Sequence, residues 1–396
     1  MANWVTRARS RAGLGDNAGS LGDEHHTPSG VYVAEITDQV DWDNLVNSHS
    51  GHPLQLWGWG ELKAHGEWTP RRLSIKGKFG SAVAQVLVRH LPPPFRALAY
   101  VPRGPAVGRD GLGGPEARVT AMEAVVSWCK ANVNPIAVEF EPEWPEGTKL
   151  PGLQVQPGRN SILYPHTIIL DVTRSLDDLI MELRKSTRKN VRRSDRNELD
   201  IRRVTDVAEI PDVLKVYHQT AERAGFGLHQ DDYYLSVPEI FGDRSRLIAA
   251  YDSDGIPCSF AWSILSDTTG FMIWGGQNQI GHHLRANSAV YWACISDAKE
   301  FGCRNYDLNG LLGEGITAFK KSFAKHENLL IGTLDVPLNN LLYNGWERTL
   351  PLAKQTLRTV KAVNRQTLRE LDPRDPKASL QVVKDLLDAG RNSTGQ

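Results

Sequence analysis

The segment Phe319-Lys-Lys-Ser-Phe323 contains a lysine whose charge has to be accounted for. At about 100° per residue, Ile316, Phe319 and Phe323 share one helical face, Lys320 falls on its margin, and Lys321 points away. An ammonium beside an apolar stripe needs water or an anion. Either Lys320 snorkels to the surface, or it is a fixed cation for negative charge on a ligand. A second charged feature lies between Arg184 and Arg196, where Lys185, Arg188, Arg192 and Arg196 recur at three- and four-residue spacing and align along one helix side. Such a stripe suits a phosphate backbone and is equally compatible with a solvated face. Lys plus Arg and Asp plus Glu both number 46, so total charge names no polyanionic partner and only a local patch can meet one. Glu141, after an apolar run, is a carboxylate that could take a proton from an attacking ammonium or accept backbone amide hydrogen bonds.

The elements that must carry these residues alternate between strands and helices. Val31–Ile36, Ser81–Val88 and Ile136–Phe140 read as strands, and Val119–Val133 as a helix ended by Asn134-Pro135. After the Pro/Gly-rich stretch Pro142–Gly158 a similar order resumes. Strand His166–Val172 leads to helices Leu176–Asn197 and Pro211–Ala224. Strands Leu247–Tyr251 and Cys258–Leu265 flank the turn Asp252–Gly255. Strand Gly270–Gly275 precedes helix Ser288–Phe301, with Asn287 as its N-cap and Gly302 as its stop, and strand Arg304–Leu308 follows. The 396 residues are therefore expected to form two α/β modules of related topology. Residues 1–28 lack apolar periodicity and are expected to be disordered, and Glu347–Glu370 to be a basic helix.

Several segments together resemble the Fem family, the non-ribosomal peptidyltransferases that build peptidoglycan cross-bridges. They are Gln55–Lys63 (QLWGWGELK), Tyr100–Pro105 (YVPRGP), Phe140–Trp144 (FEPEW), Leu170–Thr173 with the basic helix Arg184–Arg193, Trp274–Gly276 followed by Tyr306–Gly310 (YDLNG), and Phe319–Phe323. Each alone is weak, and their order across residues 50–336 is what makes the match specific. The resemblance implies an α/β (α+β) fold of two acetyltransferase-like (GNAT-like) domains without an inserted coiled-coil arm, the compact FemX-like form. The expected domains are 29–165, completed by 333–346, and 166–332, with a basic tail at 347–396.

The resemblance also implies a reaction and roles. An amino acid such as Gly, Ala or Ser would pass from aminoacyl-tRNA to the stem-peptide amine of a peptidoglycan precursor, either lipid II or UDP-MurNAc-pentapeptide. By matching position Lys320 is the oxyanion-stabilising lysine, Phe319 walls the site beside it, and Glu141 sits where an acidic residue has been considered as a base. Lys63 matches a lysine that contacts the precursor's phosphates. His229 stands where an arginine is frequent and lacks its permanent charge and fork. Tyr233 and Trp274 match substrate-lining aromatics and could equally be core residues. Lys185, Arg188, Arg192 and Arg196 would face the tRNA. Asp307 ends a strand near the same cleft, and Asn309 replaces a frequent glycine.

No cofactor and no metal is implied. His25-His26 and His282-His283 are adjacent pairs without partners at ligand spacing. Cys129, Cys258, Cys294 and Cys303 form no Cys-x-x-Cys pair and read as buried thiols. With no signal-like N-terminus and no stretch near the roughly 20 apolar residues of a membrane span, the expected location is cytoplasmic, with peripheral contact at the inner membrane face open, and the expected state is a monomer. Two other readings compete. One is an acyl-CoA N-acyltransferase of the same fold, against which Gln277–His283 lacks the second small residue of the usual pyrophosphate turn. The other is a non-catalytic RNA-binding protein, which loss of Lys320 would have favoured.

Overall fold

A computed structural model describes residues 25–26, 30–158, 160–194 and 199–349. The chain divides into two units: residues 1–92 with 96–338, and residues 93–95 with 339–396. Within the second unit, residues 340–349 are helical and the rings of Phe95 and Trp346 meet edge to face at 5.2 Å. The expected basic helix beyond residue 349 lies outside the described residues.

Among the described residues the first unit holds two large sheets and a two-stranded one. The strands of the first half are β1 (His25–His26), β2 (Tyr32–Glu35), β3 (Trp68–Gly77), β4 (Gly80–His90), β5 (Ala97–Pro102), β6 (Ala106–Val107), β7 (Ala137–Glu141) and β8 (Gln156–Pro157). Those of the second half are β9 (His166–Thr167), β10 (Ile169–Asp171), β11 (Asp200–Arg203), β12 (Ser245–Tyr251), β13 (Pro257–Leu265), β14 (Thr269–Gln277), β15 (Asn305–Asp307), β16 (Asn328–Leu329) and β17 (Leu334–Pro337). The first sheet runs β1-β2-β3-β4-β5-β7-β17-β8, with β6 beside β4; the second runs β10-β15-β14-β13-β12-β11; the two-stranded one is β9 with β16.

Both large sheets follow one plan. Four antiparallel strands lead through a long helix to a fifth strand parallel to the fourth: β5 with β7 around helix Pro115–Asn132, and β14 with β15 around helix Ala286–Phe301. An antiparallel strand then follows in each, β17 on β7, with the short β8 outside it, and β10 on β15, so the chain returns to its first sheet only after finishing the second. This is the two-module acetyltransferase-like fold. One apolar core packs under each large sheet, and a third, including Trp59, Leu62, Tyr217, Tyr234, Trp262 and Phe271, joins them. The longest helix of the second half among the described residues has 16 residues, and no helix among the described residues is long and apolar enough to cross a membrane.

Four expectations change. The helix read as Leu176–Asn197 is two helices, Leu176–Glu182 and Lys185–Arg193. Leu183 and Arg184 between them are extended, because the Arg184 amide donates to the Ser322 carbonyl at 2.8 Å rather than continuing a helix. The strand His166–Val172 is split between β9, which pairs with β16, and β10, which pairs with β15. Asn287 is not an N-cap: the helix starts at Ala286, two residues before the expected Ser288, Arg285 in the left-handed region caps it, and the Asn287 side chain accepts from Ser259. The N-terminal segment expected to be disordered contributes β1; residues 1–24 and 27–29 lie outside the described residues. The Gly302 stop stands, with φ +106°.

Candidate active site

Two short helices and one splayed strand pair position the site. Helix Gly313–Lys320 ends at Lys320, which is only 7% exposed. Its Nζ donates to the carbonyls of Gly310, at 2.8 Å, and Asn309, at 3.2 Å. Those carbonyls are aimed by a loop that Asp307 holds. Asp307 is fully buried, and its Oδ1 accepts from the Asn309 amide at 2.7 Å and from the Thr167 hydroxyl. The Asn309 Oδ1 in turn accepts from the Gly310 amide at 2.6 Å. Asn309 has φ +62°, a conformation asparagine tolerates better than most residues, which explains its place where glycine is frequent. Burial lowers the Lys320 ammonium to about 8, with Asp307 pulling the other way, so at neutral pH it is mostly charged. Burial raises the Asp307 carboxyl, opposed by Arg103, Thr167, the Asn309 amide and Lys320.

The expected apolar face of this helix is only partly buried. Phe323 is buried and Phe319 half-buried, the latter packing edge-on against Tyr291 at 4.9 Å and Phe323 at 5.3 Å, whereas Ile316 is 49% exposed. Ile316, Phe319 and Lys320 line a cavity of about 910 Å³ between the diverging ends of β14 and β15. Lys321 points away, to an ion pair with Glu327.

The second cluster forms around Lys63, in the last turn of helix Trp57–Ala64. Its Nζ donates to the Tyr233 hydroxyl at 3.0 Å and sits 4.4 Å from the centre of the Trp59 ring. This lysine is half-buried and engaged, not a solvated face, and burial lowers it to about 8. The His229 ring stacks on Tyr233 at 4.0 Å and 22°. Burial and the charge of Lys63 hold His229 below the usual histidine value, so it is neutral at pH 7. Trp274 meets Tyr233 at 6.2 Å and Tyr234 at 5.1 Å, and also lines the cavity that holds Lys320. It is the link between the clusters. Trp59 and Tyr234 were not expected; the four-residue spacing of Trp59 and Lys63 was the signal for the first.

Glu141 belongs to neither cluster. Its Oε1 accepts from the Ile162 amide and the Thr333 hydroxyl, both at 2.8 Å, and its Oε2 from the Leu163 amide and the Tyr100 hydroxyl. With four donors on a 1% exposed carboxylate, the geometry fits the second of the two readings of Glu141, an acceptor for backbone amides. On helix Lys185–Arg193 the stripe Lys185, Arg188 and Arg192 lies opposite the buried Thr187 and Val191, and Arg188 also donates to the Met181 carbonyl at 3.0 Å. Arg196 lies outside the described residues. Asn190, on the same helix, reaches the cavity.

The fold and this cavity define an acyltransferase-type scaffold, in which a splayed parallel strand pair opens a cleft beside a helix N-terminus. The FemAB family pattern matches residues 145–254 and 246–348, and the chain belongs to that family. It is similar to the lipid II:glycine glycyltransferase of Staphylococcus aureus (strain USA300), 21% identical over 420 residues that cover 84% of this chain and 99% of the relative. The crystal structure of FemX superposes with a TM-score of 0.68 at 18% identity, covering 78% of this chain and 98% of FemX.

Proposed function

We propose that this chain is a transferase acting on peptidoglycan precursors, which moves an amino acid from aminoacyl-tRNA onto the amine of the precursor's stem peptide. The observation that carries the reading is Lys320, a buried cation on the wall of an open cavity, in a chain of the FemAB family. The acceptor amine attacks the ester carbonyl carbon, and a C–N bond forms as the carbonyl oxygen becomes an oxyanion. The C–O bond to the ribose then breaks, and the proton lost by the amine ends on the released ribose hydroxyl. Lys320 offers fixed positive charge where the oxyanion develops, held in place before the substrates arrive. Phe319 and Trp274 wall the cavity beside it. Lys63, Tyr233 and His229 supply a cation, a hydroxyl and a stacked face to the precursor on the far side of Trp274.

A family relative named for glycyl transfer to lipid II supports a lipid-linked acceptor. The test is incubation with mixed aminoacyl-tRNAs and each acceptor, lipid II or UDP-MurNAc-pentapeptide, with products read by mass. Addition of one amino acid, abolished by ribonuclease and indifferent to acetyl-CoA, is the expected result. Full activity with acetyl-CoA and no RNA would overturn the reading.

A further inference from the structure

The cavity beside Lys320 has a recess at its rim, of about 190 Å³, lined by Asn190, Arg193, His283, Leu284 and Arg285. Asn190 and Arg285 line both spaces, so the two are neighbours. Among the described residues that line either space there is no aspartate and no glutamate, while Arg193, Arg223, Arg285 and Lys320 are all present. Arg193, Arg223 and Arg285 make no ion pair with any described residue, whereas Arg202, Arg203 and Arg246 of the second sheet and Arg244 just before β12 all do. Cations gathered around a concave space without carboxylates focus a positive potential into it. Helix Ala286–Phe301 also begins at this recess without a side-chain cap, which leaves its first amides available to an acceptor.

We propose that this recess binds a phosphate group of the aminoacyl donor, a phosphodiester of the RNA close to its esterified end. The assignment rests on the donor being an RNA, as proposed above. Because recess and cavity adjoin at Asn190 and Arg285, a single molecule lying across them would place its ester carbonyl at Lys320 and a phosphate among Asn190, Arg193, His283 and Arg285. Coenzyme A carries phosphates too. An RNA fits better because the charge does not stop at the recess: the helix that supplies Arg193 continues outward with the exposed Lys185, Lys189 and Arg192, enough for a chain of phosphates.

The test uses the full chain, an RNA hairpin with a single-stranded 3′-ACCA end, and coenzyme A as a separate arm. Binding is measured by fluorescence anisotropy over a KCl series for wild type, Arg193→Gln, and Arg193→Gln/Arg285→Asn, with asparagine chosen because Arg285 has φ +60°. Circular dichroism checks that each variant is folded, and the single variant keeps the test open if the double one is not. The expected result is a slope of log affinity against log salt that flattens by about 0.7 per lost contact, with affinity falling about fivefold at ~0.1 M salt for each. Parallel slopes for variants and wild type overturn the recess while leaving RNA-dependent transfer standing. Wild-type binding of coenzyme A that needs Arg193 and Arg285, without RNA binding, overturns the RNA assignment. Binding of neither overturns the proposal. Ribonuclease-resistant transfer would separately remove the reading on which it rests.

Discussion

The two sheets share a topology and differ at one joint. In the first, β5 and β7 run parallel and paired from Ala99–Val138 to Pro102–Glu141, and all six residues of β5 are buried. In the second, β14 and β15 pair only from Thr269–Asn305 to Phe271–Asp307, after which they separate. Just past that point β14 carries a bulge: Trp262 faces Trp274 and Ser263 faces Met272, leaving Ile273 as the extra residue. A bulge bends its strand and increases local twist, and from Ile273 to Gln277 the strand is only half-buried. The joint of the first sheet is closed instead by Glu141 and its four donors. The same chain path thus yields a sealed core where a carboxylate ties the strands' ends to loops, and an open cavity where a bulge parts them. The proposed chemistry belongs to the open copy.

That contrast can be broken by mutation. The largest effect is expected from Lys320→Met at the open joint: a loss in kcat of about a hundredfold to a thousandfold, since this is the typical consequence of removing one oxyanion donor. Lys321→Met, next in sequence but in a surface ion pair with Glu327, should leave kcat near wild type. Steady-state kinetics of both variants decide, and equal losses would show that the open joint is not where the reaction occurs.

Glu141→Gln probes the closed joint. It should lower stability by about 1–3 kcal/mol, because an amide cannot accept from donors on both sides and leaves a buried group unsatisfied. Urea unfolding measures this, while kcat of the folded variant stays near wild type. A large fall in kcat with unchanged stability would restore Glu141 to catalysis.

The smallest effect sharpens the comparison between the two lysines. Each is charged below its pKa, and burial brings both to about 8, so their cations are present at pH 7 and lost above that value. With Lys320 at the reacting ester, kcat should fall as pH rises through about 8; with Lys63 at the precursor, its KM should rise over the same range. Lys63→Arg should remove the KM limb and keep the kcat limb, because guanidinium stays charged. A pH series of kcat and KM for both proteins gives the test.

Much of this was legible in order and spacing alone. Apolar alternation and turn chemistry predict β4, β13, β14 and the long helices, though not β3, because a sheet face or helix stripe that packs on a core needs a local period of 2 or 3.6. The residues of FKKSF likewise single out Lys320 over Lys321, since the direction of a side chain on a helix is local geometry. What the sequence does not contain is where the chain departs from that periodicity for the sake of a distant partner. The break at Leu183–Arg184 depends on the Ser322 carbonyl, 138 positions from Arg184, the difference between their numbers. The division of His166–Val172 depends on β15 and β16 competing for it. Whether Glu141 is a free base or a tied acceptor depends on Tyr100, Ile162, Leu163 and Thr333, which only folding brings to it. Lys63 and His229 become one cluster only because Tyr233 lies between them, bonded to the first and stacked on the second. Residue types and local period determined what the parts are; burial and long-range hydrogen bonding, which act through space, decided which of them stay free to react.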